Sequence, residues 1–255
     1  MTATCHQADH KWYCDRLGTE IEALAGTIAS ADWNAKVPTC PDWTMADLIE
    51  HLGGVHRWAG AMVAEIAQER LAREKINWKV PPPPELPEWI RSGGKELVAN
   101  LRNADADAAM WSWGSDKHVR FWSRRQLHET AVHHADALFT LGREPSIDPA
   151  VAIDGIDEFL DNLKHAVYFR PNVKELRGDN EALRFRCEGA TWLVSLVPEG
   201  FTWNHDEDAP AGATVHAAPS DLLLFFYGRR EPGDPHITID GDRGLLDRWV
   251  ENSEL

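Results

Sequence analysis

Four consecutive prolines at positions 81–84 divide the first half of the chain. Proline has no backbone N–H and its ring clashes with the preceding helical turn, so the run forces an extended connection between separate helices. Upstream, Leu17, Ile21, Leu24 and Ile28 recur at four-three-four spacing and mark one apolar face of a first helix. The stretch Val37-Pro38-Thr39-Cys40-Pro41-Asp42-Trp43 stops any helix, and Thr44 with Asp47 three residues on predicts a capping box that opens a second. Its apolar row of Leu48, Leu52, Val55, Ala59, Met62 and Ile66 carries that helix to about residue 70. A third helix is predicted over about 87–102, with Leu97, Val98 and Leu101 inward, and a fourth over about 123–141, stopped by Gly142 and Pro145. Four antiparallel helices of this length form a bundle.

After Pro149 the pattern changes. One more helix is predicted to about residue 168, followed by short strand-like runs at 183–187, 191–197, 201–203, 214–217 and 237–239, with turns at Gly189 and Pro198-Glu199-Gly200. Helices are expected over 222–227 and 245–250. The chain therefore reads as α+β, a helical unit over residues 1–147 followed by a smaller α+β unit over 148–255.

Composition narrows the partners. A formal net charge of −15 repels nucleic acid and anionic membrane surfaces, which points to small-molecule partners. No apolar run approaches the length of a membrane span and the polar N-terminus carries no signal-peptide core, so the cytoplasm is the expected compartment. Cys5, Cys14, Cys40 and Cys187 show no CxxC pairing and are too few for a disulfide framework, so reduced thiols are expected. The twelve tryptophans should serve as core or as pocket walls.

One constellation carries chemistry. Glu129 and His133 stand four residues apart on the fourth helix and share a face, so both can reach one ion. His51 falls on the inward row of the second helix, between Leu48 and Val55, and can supply a third ligand. Two nitrogens and one carboxylate leave positions open for water or substrate, the arrangement of a catalytic zinc site. On spacing alone the Glu/His pair also fits a solvated surface pair and His51 a core histidine. His56 lies about 140° around the helix from His51, and His128 and His134 point about 100° away from their neighbours, so these three are not expected to join the site.

At these residues the sequence resembles a known family. The segments Val37-Pro38-Thr39-Cys40-Pro41-Asp42-Trp43-Thr44, His51-Leu52-Gly53-Gly54-Val55-His56-Arg57-Trp58 and His128-Glu129-Thr130-Ala131-Val132-His133 look like the mycothiol-dependent maleylpyruvate isomerase family. The resemblance implies a DinB-like four-helix bundle, a metal on His51, Glu129 and His133, and a smaller α+β domain similar to sterol carrier proteins. It also implies that the thiol mycothiol binds the metal through sulfur, so that the protein is an enzyme, an isomerase or a thiol S-transferase, acting on a small electrophile as monomer or homodimer. Zinc is the expected ion, although imidazole and carboxylate also accept nickel or iron. Asp136, one turn beyond His133, can accept its second ring N–H or stand as a solvated helix aspartate. Arg229 follows Leu222-Leu223-Leu224-Phe225-Phe226-Tyr227-Gly228 and, by the resemblance, can fork onto a substrate carboxylate; a cation at a helix C-terminus is the other reading. Asp42 stands where glycine is commoner in the family motif. A binding or regulatory protein that keeps the bundle without turnover is the alternative function.

Overall fold

The computed structural model describes residues 9–76 and 78–253 of the 255-residue chain, with the Lys75 side chain excepted. Cys5 lies outside the described residues. Two compact units form. One runs through Ser112 and resumes from Asp116 to Pro145, and the other comprises Trp113–Ser115 and the chain from Ser146 onward.

The first unit is built on four helices, α1 (His10–Thr27), α2 (Met45–Ala64), α3 (Leu86–Asn103) and α4 (Val119–Thr140). Leu17, Ile21, Leu24 and Ile28 are all buried, as their spacing requires of one apolar face. At the start of α2 the Thr44 side chain accepts from the Asp47 N–H while Asp47 accepts from the Thr44 N–H at 2.8 Å, the predicted capping box. The proline-rich stretch before it is a two-stranded hairpin, β1 (Lys36–Val37) and β2 (Cys40–Thr44), where only a helix stop had been read.

Two helix boundaries differ from the sequence reading. Helix α2 ends at Ala64, not near residue 70, because the Ala67 N–H bonds back to the Met62 carbonyl and the Ile66 N–H to that of Val63. This six-to-one closure needs a left-handed residue, and Ile66 adopts it with φ of 44° where glycine is usual, so the sequence carries no stop signal. Helix α4 begins at Val119, four residues earlier than read. Its first N–H groups are taken by the backbone carbonyls of Ala108 and Ala106, without a side-chain cap.

Glycines set how closely α2 and α3 approach. The Trp89 ring lies against Gly53 and the Arg57 guanidinium against Gly93, while Arg57 sits 4.0 Å above the Trp89 ring and donates to the carbonyls of Gly53 and Trp89. Between α2 and α4, fully buried His56 pairs its Nε2 with Thr130 Oγ1 at 2.9 Å, and the Thr130 hydroxyl donates to the Gln126 carbonyl. The hydroxyl is already used as a donor, so the imidazole donates through Nε2.

In the second unit α5 (Pro149–Leu163) is followed by two 3-10 turns, so the helix expected to reach residue 168 stops earlier. Five strands follow: β3 (Glu181–Cys187), β4 (Ala190–Val197), β5 (Gly200–Asn204), β6 (Ala213–His216) and β7 (Thr238–Gly241). They form one sheet in the order β5-β4-β3-β6-β7, antiparallel except for the β3–β6 pair. The two-residue β3–β4 turn uses Gly189 at φ of 90°, a conformation that glycine adopts without steric cost. Helices α6 (Pro219–Phe226) and α7 (Arg243–Asn252) complete a core centred on Phe159, Phe185, Trp192, Phe226 and Trp249. The whole is α+β. Among the described residues no helix is long and apolar enough to cross a membrane.

Two outcomes follow from the packing of α2. Gly53→Ala would place a methyl group against the Trp89 ring, over which the Arg57 guanidinium also lies, and is expected to cost about 2 kcal/mol in urea unfolding. Unchanged stability would show that the two helices part freely. Burial pushes the His56 imidazole down to about 3 from 6.5, with Arg57, His133 and His51 adding to the effect and Glu129 opposing it. The unfolded chain therefore gains a proton below 6.5 that the folded chain does not, and stability falls as pH drops from 6.5 toward 3. The His56→Gln variant is expected to lack about 1.4 kcal/mol per pH unit of that decline, read from denaturation midpoints between pH 6.5 and 4. Parallel curves for the two proteins would contradict the assignment.

Candidate metal centre

The capping box fixes where α2 starts, and two turns later His51 faces α4. There His51 Nε2 lies 3.4 Å from Glu129 Oε1, and His133 Nε2 lies 3.4 Å from the same oxygen. One ligand atom from each of the three residues falls within 4.8 Å of the other two. Donors about 2.1 Å from a tetrahedral zinc ion stand about 3.4 Å apart, so the two shortest separations suit one shared ion better than two hydrogen bonds, which are normally shorter. The donor set of two imidazole nitrogens and a carboxylate oxygen fits zinc and its neighbours in the first transition series.

Each donor is aimed by a further contact. Arg125, one turn before Glu129 and buried, donates to Oε2 at 3.1 Å, leaving Oε1 to the histidines. Asp136 is fully buried and accepts from His133 Nδ1 at 2.8 Å, which turns Nε2 toward Glu129. The solvated alternative for Asp136 is thereby removed. Asp136 Oδ1 in turn accepts from the Thr39 hydroxyl at 2.6 Å. The Trp43 ring lies 4.8 Å from the His51 ring and 6.2 Å from that of His133. His51 and Glu129 remain partly exposed, with 29% and 23% of their side chains accessible, so the centre can be reached by a small molecule.

The charges are arranged to keep the carboxylate ionised. Burial pushes the Glu129 carboxyl up, but hydrogen bonds from His133 and His51 and the charge of Arg125 outweigh it and hold the group well below the usual range. For His133 burial opposes protonation, yet Asp136 and Glu129 raise the imidazole to about 9. A divalent ion at this place would take the position of the Nε2 proton.

Two neighbouring histidines are engaged by other side chains. His134 pairs with Glu20 at 2.6 Å and with Thr27 at 2.8 Å, joining α4 to α1, and His56 is committed to Thr130. Arg229 belongs to the second unit, just past α6, where its Nη1 donates to the Tyr227 carbonyl at 2.7 Å. Sequence reasoning did not assign roles to Thr39, Trp43 or Arg125. Arg125 had a signal, the same four-residue spacing to Glu129 that links Glu129 to His133.

The fold and the cluster define a two-unit α+β protein with a His/Glu/His centre in its helical unit. Comparison with known proteins places it further. The mycothiol maleylpyruvate isomerase N-terminal domain matches residues 14–138, and the C-terminal domain described for the same family matches residues 150–248. The chain belongs to the mycothiol-dependent maleylpyruvate isomerase family. A crystal structure of the mycothiol-dependent maleylpyruvate isomerase is 13% identical and aligns with a TM-score of 0.63 over 94% of this chain and 96% of that one. A histidine-to-alanine variant of that enzyme aligns equally well at 12% identity. At these identities the likeness concerns the fold. A search of curated protein sequences finds no match.

Proposed function

We propose that the protein is a divalent-metal-dependent enzyme that activates a low-molecular-weight thiol, mycothiol by the family's chemistry, against a small electrophile of the maleylpyruvate type. The reaction is cis–trans isomerisation or S-transfer. The observation that carries this reading is the convergence of His51 Nε2, Glu129 Oε1 and His133 Nε2 in an accessible part of the helical unit.

A bound ion such as zinc supplies the positive charge that favours a thiolate over a thiol at neutral pH. The chain's own groups prepare the place for it. His133 presents Nε2 because Asp136 accepts its Nδ1 proton, and Glu129 presents Oε1 because Arg125 takes the other oxygen. His51 completes three protein donors and leaves room for a further ligand.

The thiolate sulfur then forms a C–S bond to one carbon of an alkene conjugated to a carbonyl, and the π electrons move to the carbonyl oxygen. The former double bond is now single and rotates. Return of the electrons breaks the C–S bond, restoring the thiolate and the alkene in the other geometry. With a leaving group on the electrophile, its departure retains the C–S bond and the outcome is S-transfer. We propose Arg229 for the substrate carboxylate, a reading supported by the match of a guanidinium fork to that group and by the family resemblance.

Purified protein is expected to contain about one equivalent of divalent metal by elemental analysis, with His51→Ala, Glu129→Ala and His133→Ala each losing both metal and turnover. Stoichiometric metal in all three variants would falsify the site. Mass spectrometry after incubation with mycothiol and a maleyl-type or chlorinated electrophile is expected to show an isomer or a thioether. Saturable binding with no product would instead identify a binding protein.

A further inference from the structure

We infer that the β1–β2 hairpin is the outer support of the metal centre, orienting both histidine ligands: Thr39 acts on His133 through Asp136, and Trp43 acts on His51 by ring contact. The inference rests on the metal reading proposed above and concerns residues which that reading does not use.

The hairpin is held at both ends. At its start, Val37 is fully buried in the same core as Ala137, the residue after Asp136. At its end, Thr44 is both the last residue of β2 and the cap of α2, so no slack separates Trp43 from the helix that carries His51. The backbone is tied further by bonds from Met45 N–H to the Ala35 carbonyl and from Ala46 N–H to that of Trp33. Side chains projecting from the hairpin therefore have fixed origins.

Two of them reach the ligands. Thr39, in the turn between the strands, donates to Asp136 Oδ1 at 2.6 Å while Oδ2 accepts from His133 Nδ1 at 2.8 Å. A carboxylate engaged through both oxygens cannot turn about its own axis without breaking one of the bonds, so the His133 ring is held to one plane. The Cys40 thiol stands 4.0 Å from the same Oδ2. Trp43 lies 4.8 Å from His51 with the planes tilted by 42°, a contact that restricts rotation of His51, and 6.2 Å from His133. One nine-residue segment thus reaches the carboxylate that supports His133 and the ring of His51.

The test measures metal rather than turnover. Affinities for Zn(II) and Co(II) are determined by chelator competition, and the visible bands of the Co(II) protein report ligand geometry. Thr39→Val, which keeps shape and removes the donor, and Trp43→Leu are expected to weaken binding 10–100-fold and to shift the Co(II) bands. Thr39→Ser and Trp43→Phe, which keep the hydroxyl and the ring, are expected to restore both readouts. Thr39→Ala serves as a second donor-free variant. Native affinity and an unchanged spectrum in the folded donor-free and Leu variants overturn the inference, as does failure of both donor-free variants to fold without metal, since the hairpin would then be a folding element. If the native protein binds neither ion, the metal reading itself fails, a result distinct from either.

Discussion

The Glu129 carboxylate is the charge around which the helical unit is arranged. It lies on the inner side of α4, where an unpaired charge is costly, and the helix answers it with its own residues. Arg125, Glu129, His133 and Asp136 follow one another at spacings of four, four and three, so they form a ladder along one face with alternating sign when His133 is protonated. The ladder is met from outside at two rungs. His51 brings α2 to Glu129, and Thr39 brings the hairpin to Asp136. A divalent ion would enter where the ladder already concentrates negative charge against two imidazoles.

Much of this ladder was readable in the sequence because helical spacing is local. Glu129, His133 and Asp136 share a face by arithmetic, and the inward row of α2 turns His51 toward Glu129. Arg125 obeys the same arithmetic and was legible in principle. Thr39 was not, since its bond to Asp136 joins positions 97 apart and nothing in a threonine within a proline-rich turn names a carboxylate partner. The end of α2 was hidden for a different reason. Ile66 takes the left-handed position that glycine normally marks, and the cost is borne by the closing bonds of Ile66 and Ala67.

The close approach of helices was also invisible to hydropathy. Gly53 and Gly93 carry no apolar signal, yet they admit Trp89 and Arg57 into the α2–α3 contact, and Gly94 brings Ile21 of α1 within 2.7 Å of where a Cβ would stand. Arg57 is instructive because a guanidinium there would be expected to face water. Its head instead donates to two backbone carbonyls while lying over an indole, so polar and dispersion contacts are satisfied together. The tryptophans divide in the same way. Trp122, Trp192 and Trp249 are core, whereas Trp43 remains partly exposed beside His51 and His133.

The contacts described above that aim the donor atoms come from α2, α4 and the hairpin between α1 and α2. These contacts fix the plane of His133, the oxygen that Glu129 presents and the approach of His51, all of which would bear, on the proposed reading, on whether a thiol becomes a thiolate. None of them measures the length, charge or unsaturation of an electrophile. On the proposed reading, thiol activation and electrophile choice are separable properties, and substitutions away from the Arg125–Asp136 face would alter the second while leaving the first intact. The strongest sequence motifs coincide with the hairpin, the cap and the His51, Glu129 and His133 positions, so on that reading they speak to activation and are silent on the substrate.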